Sequence, residues 1–435
     1  MRFLLSLLVM APFAVAQAPR TPDLRETPNI LLVVADDFGV DLMPAYGEGA
    51  SLPCTPNLDA LAASGLLFRN AWVTPTCSPG RAQLLTGRYG FRTGIGQPVH
   101  NNDPGLQHSE LTLPERLAGF DSAALGKWHL SGNLGPTHPN DSGFAYFAGS
   151  HANLSDYDNW TKLVNGQEFP STTYATVDTA NEAVAALLSL QEPWFLQVSF
   201  NAPHTPIHAP DAALCPAACP NSSCANIDAN SPQWRKARAM VSVLDDQLGR
   251  ILTALDAVDP AAMVVFIGDN GTGGQATRPP FDSNHAKNTV YEGGVNVPLV
   301  LRGPGVVAGA ECEALVSAVD LYATFAELAY MRSNAEDSVS LVPYFSNPTL
   351  SLRETVYTEA FSPNHQASLP FSNHERAIRN LRYKLIRRTG QPDELYNLEL
   401  DTWEQTNLVP NLQPGTPEEG AYLALVAALA DLGVD

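Results

Sequence analysis

Ile30-Leu31-Leu32-Val33-Val34-Ala35 is an unbroken apolar run that ends directly on Asp36-Asp37. A strand that is apolar at every position, and not only at every second one, is buried on both faces, as in sheets covered by helices on either side. The acidic pair then falls at the carboxyl end of the strand, where open α/β sheets bind their ligands. One stretch therefore points both to the architecture and to the place where chemistry gathers.

The same pattern recurs along the chain. Trp194 to Phe200 is apolar and runs into Asn201-Ala202-Pro203-His204-Thr205-Pro206. Met263 to Ile267 is followed by Gly268-Asp269-Asn270-Gly271, and a shorter Ala123 to Leu125 segment by Gly126-Lys127-Trp128-His129-Leu130. Pro298 to Leu301 reads as a further buried strand. Between these runs Val177, Ala180, Val184, Leu187 and Leu188 fall at helical spacing, and Val241 to Leu255 supplies another helix. Asn57 to Ser64 reads as a short helix stopped by Gly65. The expected fold is α/β, a large mixed and mostly parallel sheet sandwiched by helices over residues 27–340. After about Leu341 the texture changes to short strand-like segments, Thr355 to Glu359, Ala377 to Arg379 and Tyr383 to Arg387, closed by a helix from Ala421 to Leu432. Residues 341–435 are thus expected to form a smaller α+β domain on a short antiparallel sheet.

With 435 residues, 45% hydrophobic and only 16% charged, the chain is long enough for a large core plus a smaller domain, and 35 Pro with 31 Gly make it loop-rich. A net charge of −20 disfavours nucleic acid and anionic membrane surfaces as partners. Residues 1–16 read as a signal peptide: Arg2 gives the positive start, Phe3 to Val15 the apolar core, and Ala14-Val15-Ala16 the small-residue cleavage site. That run is too short to span a bilayer, and no other stretch is long enough. Export to the periplasm or the medium is the expectation. Cys215, Cys219 and Cys224 cluster in a Pro/Asn/Ser loop while Cys54 and Cys312 stand alone; the loop setting favours disulfides over a zinc site, with connectivity left open.

Singly, the polar strand ends have ordinary explanations: Asp-Asp caps a helix or faces water, and Asp-Asn-Gly turns the chain. Together, Asp36, Asp37, Asp269 and Asn270 offer an all-oxygen set suited to a hard divalent cation, Ca²⁺ rather than Zn²⁺. Arg81, Lys127 and Lys287 would add positive charge opposite a negatively charged reacting group. His129 and His204 suit proton transfer near neutral pH.

Cys77-Ser78-Pro79-Gly80-Arg81, trailed by Thr86-Gly87-Arg88, gives this set its meaning. The stretch resembles the signature of the sulfatase family, of alkaline phosphatase-like fold. Further segments match in family order: Asp36-Asp37, Thr55-Pro56-Asn57-Leu58-Asp59, Gly126-Lys127-Trp128-His129, Pro203-His204-Thr205-Pro206, Asp269-Asn270-Gly271, and Lys287 before Tyr291-Glu292-Gly293-Gly294. Glu394 to Leu398 with Asn407-Leu408 is similar to the family's closing segment. The resemblance implies hydrolysis of a sulfate ester by the hydrate of a formylglycine, made from Cys77 by a dedicated oxidising machinery. It implies one Ca²⁺ held by Asp36, Asp37, Asp269, Asn270 and residue 77. It implies that Arg81 orients the hydrate with Lys127 and His129 flanking it, and that His204 and Lys287 hold the sulfate and assist the leaving alcohol. His129 is the expected base for release of sulfate. Pro79 fits a helix start, placing residue 77 near the positive end of that helix.

Two departures stand out. Gly80 occupies a position where the family often has Ser, and Asn296 one where a basic residue commonly follows Glu-Gly-Gly. The substrate class implied is a sulfated carbohydrate or an aryl sulfate, with His151 to Trp160, the cysteine loop and Gly273 to His285 expected at the pocket mouth. The rival readings are a formylglycine-dependent phosphonate or phosphodiester hydrolase and an inactive module that binds sulfated glycan. Asn140, Asn153, Asn159 and Asn221 begin Asn-x-Ser/Thr sites that matter only in a glycosylating host.

Overall fold

The computed structural model describes residues 27–219, 224, 227–365 and 371–434. The expected leader and Asn221 lie outside these residues. Strands β1 (Ile30–Ala35), β2 (Leu66–Trp72), β3 (Asp121–Lys127), β4 (Tyr146–Ser150), β5 (Trp160–Val164), β6 (Gln167–Ser171), β7 (Trp194–Phe200), β8 (Met263–Gly268), β9 (Leu299–Arg302) and β10 (Ala310–Ser317) build one sheet. Their spatial order is β10-β2-β9-β8-β1-β7-β3-β4-β5-β6. β1 pairs in parallel with β7 and β8, β3 in parallel with β4 and β7, and β10 in parallel with β2. The antiparallel pairs involve β9 and the β5–β6 hairpin at the edge.

β1 lies in the middle of the sheet, and all six of its residues are buried. Leu31, Val33 and Ala35 belong to one core cluster with Ala183 of helix Ala175–Leu187 and Met240, Leu244 and Leu248 of helix Gln233–Val258. Ile30, Leu32 and Val34 belong to the opposite cluster, with Leu84 and Leu85 of helix Cys77–Thr86 and Phe325 of helix Asp320–Leu328. Successive side chains of a strand point to opposite faces, so a strand covered by helices on both sides must be apolar throughout. The long helix extends eight residues ahead of the expected Val241 start, because Gln233 to Met240 carries Arg235, Lys236 and Arg238 and breaks the apolar pattern while remaining helical.

A second, four-stranded antiparallel sheet has the order β11 (Val356–Ser362), β12 (Asn373–Arg379), β13 (Tyr383–Arg388) and β14 (Glu394–Asn397). Leu425 and Leu429 of the terminal helix Pro417–Asp431 cover one face through Ile378, Leu385 and Leu395. The other face packs Val356, Ala377, Ile386 and Tyr396 against Trp72, Val290, Val295 and Leu315 of the large domain. The terminal segment Glu394 to Leu398 thus supplies the last strand of this sheet.

Two disulfides join Cys54 to Cys219 and Cys215 to Cys224. Cys54, which stands alone in sequence, meets the cysteine loop across 165 residues, and Cys312 is buried as a free thiol. No helix among the described residues is long and apolar enough to cross a membrane.

Candidate active site

The carboxyl ends of β1, β3, β7 and β8 converge on the start of helix Cys77–Thr86. Cys77 is its first residue, with Pro79 in the first turn, where a missing N–H costs nothing. The Ser78 hydroxyl donates to the His129 carbonyl at 2.8 Å and accepts from the Val99 N–H at 3.0 Å, locking this helix to the loop after β3. Gly80 fits because the helix abuts the end of β8: a Cβ there would lie 2.4 Å from the Asp269 carbonyl oxygen. The departure at residue 80 is therefore matched to close backbone packing.

Asp36, Asp37, Cys77 and His204 are all buried, and each brings a ligand atom to within 4.8 Å of the others. Lys127 Nζ pairs with Asp36 Oδ2. Lys287 Nζ lies 2.5 Å from Asp37 Oδ1 and 3.5 Å from Cys77 Sγ. Asp37 has φ +62° and takes a second bond from Asn270 Nδ2 at 2.8 Å. Asp269 joins the cluster by accepting from the Asp37 N–H at 3.1 Å and from Arg81 Nη2 at 2.7 Å. Arg81 Nη1 also donates to the Lys127 carbonyl at 2.9 Å and Nη2 lies 3.8 Å from Asp36 Oδ2, so the guanidinium bridges three of the strand ends. The Tyr157 hydroxyl meets the carbonyls of Asn201 and His204 at 2.6 and 2.9 Å and braces the loop after β7.

Charge balance sets the protonation states. Burial pushes the Asp36 carboxyl up, against the pull of Lys127. Burial is the largest single influence on Asp37 too, but Lys287, His204 and the Asn270 amide together outweigh it and hold the group at about 2. Burial and the neighbouring Asp36 bring Asp269 to about 6. Burial opposes ionisation of Cys77, yet Lys127 and Lys287 together lower it to about 6, so a nucleophile at this position is stabilised as an anion. The ring nitrogen Nδ1 of His204 lies 2.8 Å from the Thr205 carbonyl, which can only accept; Nδ1 therefore carries a proton and Nε2 is left for the cluster. Burial disfavours the charged form of His204, but Asp36 and Asp37 raise it. Burial, Lys127 and Arg81 push His129 well down, leaving a neutral imidazole whose Nδ1 is buried without a hydrogen bond.

The expected residues Asp36, Asp37, Cys77, Arg81, Lys127, His129, His204, Asp269, Asn270 and Lys287 are thus assembled at one centre. Asn296 is elsewhere: it is buried behind helix Glu292–Val295, bridges to Trp72 and donates to the Arg69 carbonyl at 3.3 Å. The absent charge at that position falls at the contact between the two sheets and not beside Cys77. In the segment expected at the pocket mouth, Tyr157 and Trp160 turn inward, since both rings are buried and the Trp160 indole N–H donates to the Thr173 carbonyl. Ser78 and the bracing role of Tyr157 carry no local signal in sequence, because each acts through a backbone carbonyl brought near only by folding.

The family model described as Sulfatase matches residues 28–331, and that of the N-sulphoglucosamine sulphohydrolase C-terminal region matches residues 282–416. The chain belongs to the sulfatase family. It is 31% identical over 397 residues to the N-acetylgalactosamine-6-sulfatase of Sus scrofa, covering 81% of this chain and 72% of that one. It is 27% identical over 437 residues to the "Ulvan-active sulfatase" of Formosa agariphila, covering 93% and 82%. Among solved structures, Ps i-CgsB in complex with k-i-k-neocarrahexaose superposes with a TM-score of 0.78 at 27% identity, covering 94% of this chain and 93% of that one. The large mixed sheet with its small antiparallel partner is the architecture of these sulfatases, and the protein is a sulfuric ester hydrolase.

Proposed function

We propose that this sulfatase removes sulfate from a sulfated glycan, with residue 77 oxidised from Cys to formylglycine and one Ca²⁺ held beside it. The observation that carries the reading is the convergence of Cys77 Sγ, two aspartates and His204 on one small volume flanked by Lys127 and Lys287. Sγ stands in for the oxygens of the formylglycine hydrate. Sulfated glycans are favoured over aryl sulfates because the named relatives include a galactosamine-6-sulfatase and an ulvan-active enzyme, and one structural relative was solved with a neocarrahexaose.

The donor set fits a hard cation. Asp36 Oδ1 and Asn270 Oδ1 are buried acceptors without a hydrogen-bond partner, beside Asp37 and Asp269. Orphaned acceptors of this kind are costly unless a donor or cation meets them. When bound, Ca²⁺ would draw electron density from a sulfate oxygen and ease ionisation of a hydroxyl at residue 77. The remaining work falls to the chain itself. Lys127 and Lys287 oppose the negative charge spread over the sulfuryl oxygens. Arg81, fixed by Asp269 and the Lys127 carbonyl, orients residue 77. His204, biased toward the protonated form, hands a proton to the departing alcohol oxygen. His129, kept neutral, accepts the proton whose loss from residue 77 releases sulfate.

Residues 27–340 are taken as the catalytic domain and 341–435 as the smaller one. Export to the periplasm or the medium is supported by the two disulfides, which persist in oxidising compartments. Mass spectrometry of the peptide containing residue 77 tests the reading: loss of the thiol mass in favour of an aldehyde is expected, together with stoichiometric calcium. Cys77→Ala should abolish sulfate ester hydrolysis without unfolding the protein. An intact thiol in fully active enzyme, or zinc in the site, would overturn it.

A further inference from the structure

Among the described residues Arg278 is a cation without a carboxylate or hydrogen-bond partner. It is half-buried, and its side chain forms no hydrogen bond and no ion pair among the described residues; Nε is buried without any partner. It rests on the ring of Trp234, with Cζ 4.8 Å from the ring centroid. A guanidinium has five N–H donors in a planar fork, and stacking holds that plane while leaving the donors at its edge unused. Arg278 forms no ion pair among the described residues even though the chain carries 45 Asp and Glu against 25 Lys and Arg.

Its surroundings are built to keep it there. Arg238 stacks on the same Trp234 ring at 5.5 Å and is fully buried, but its donors are consumed by the carbonyls of Ala50, Ser51, Trp234 and Ala276. Arg238 therefore acts as scaffold, pinning the loop that carries Arg278 to the start of helix Gln233–Val258. Arg235 forms no ion pair among the described residues either, and Lys236 donates to the Ala229 carbonyl at 2.6 Å. Among the described residues the result is a small island of cations that form no ion pair, although Asp41 is near enough to act on Arg238 and Asp228 on Lys236.

The island is tied to the catalytic centre by a short path. Gly273 follows the Asp269-Asn270-Gly271 turn and lies so close to Asp37 that a Cβ on it would be 3.6 Å from Oδ2. The chain then makes one turn, with the N–H groups of Ala276 and Thr277 donating to the Gly273 carbonyl, and reaches Arg278. Arg278 lies five positions after Gly273, which bounds their distance at about 18 Å even for a fully extended chain, and the turn makes it shorter. An anion held at Arg278 is therefore within reach of an oligosaccharide whose ester sits at the catalytic centre, and the adjacent sugar is the group that would carry it.

We propose that Arg278, presented on Trp234, is a subsite for a second oxyanion, a sulfate or carboxylate, on a neighbouring sugar of the substrate glycan. The inference rests on the sulfated-glycan reading above and adds a specificity determinant to it. The parent enzyme and Arg278→Gln are compared on three oligosaccharides of equal length. One carries a single sulfate, one a second sulfate on the adjacent sugar, and one a uronate carboxylate there. The parent should prefer a doubly anionic chain, and the variant should raise KM for that chain about tenfold with kcat unchanged. KM for the monosulfated chain should stay within about twofold, Arg278→Lys should recover part of the loss, and Trp234→Ala should reproduce it. The arm that responds tells sulfate from carboxylate. No preference in the parent, or an equal rise on all three chains, overturns the subsite. Turnover of nitrophenyl sulfate, too small to reach the island, reports the catalytic centre separately: its loss in the parent would sink the sulfatase chemistry instead.

Discussion

His204 and His129 carry the same imidazole, yet their surroundings drive them apart. Asp36 and Asp37 overcome burial and favour the proton on His204, whereas burial, Lys127 and Arg81 all remove it from His129. Pairs of titratable groups pushed in opposite directions divide acid from base work. An activated phenol leaves with little protonation, but a sugar hydroxyl needs a proton in the transition state. His204→Ala is therefore expected to cut kcat on a glycan sulfate at least tenfold more than on nitrophenyl sulfate; equal losses on both would reduce His204 to a sulfate-binding residue. A third histidine governs stability. The Trp128 indole donates to His138 Nδ1 at 2.9 Å, so Nε2 carries the proton and donates to the Leu106 carbonyl at 2.8 Å. Burial lowers this group from 6.5 to about 4. Because the folded state holds its proton less tightly than the unfolded chain, stability is full above pH 6.5 and is lost as pH falls toward 4, by about 3 kcal/mol. Thermal unfolding from pH 7 to 4.5 should show a shallower decline in His138→Gln than in the parent; parallel curves would remove His138 from the account.

At the scale of elements, the site depends on how closely three strands approach. Gly126 near the end of β3 has φ +82°, and a Cβ there would stand 2.0 Å from the Ser199 carbonyl oxygen of β7. On the other side, a Cβ on Gly149 of β4 would stand 1.9 Å from the Gly126 oxygen. No side chain fits between, and Lys127 takes its direction toward Asp36 from this junction. Gly126→Ala combines a left-handed backbone with a backbone clash, so a loss of at least about 2 kcal/mol is expected, with activity falling further than stability. A urea midpoint unchanged from the parent would show that the strands can part at no cost.

At the scale of the whole molecule, the small sheet is bolted to the catalytic one by buried charge. Lys384 on β13 pairs with Glu292 at 3.1 Å and Glu404 at 2.8 Å and lies 4.8 Å from the Trp72 ring centroid. Arg379 on β12 adds a bond to Glu292 at 2.9 Å, and Glu292 opens the helix just after Lys287. Burial pushes the Glu404 carboxyl up to about 7 even with Lys384 beside it. Removing one partner of such a cluster leaves uncompensated charge, so Lys384→Met should cost about 3–5 kcal/mol at pH 7.5. The two carboxylates would then hold a proton more readily when folded, and the deficit should shrink as pH falls toward 5.5. A deficit that is absent, or constant over that range, would count against the ionic bolt.

Strand β1, its acidic end and the motif at Cys77 were legible because each is local: buried strands show uninterrupted apolar runs, and the motif is contiguous. The same locality explains what was misread or passed over. β2 carries Arg69 and Asn70 at its half-buried middle, and β6 is exposed at four of its five positions, so neither shows a clean apolar run. The pairing of Cys54 with Cys219, the inward turn of Tyr157 and Trp160, and the assignment of Lys127 to Asp36 but Lys287 to Asp37 were decided only in three dimensions. Sequence spacing reports which face of an element a residue occupies. Which distant group meets it there depends on strand order and loop path, and these follow from the packing of the whole chain.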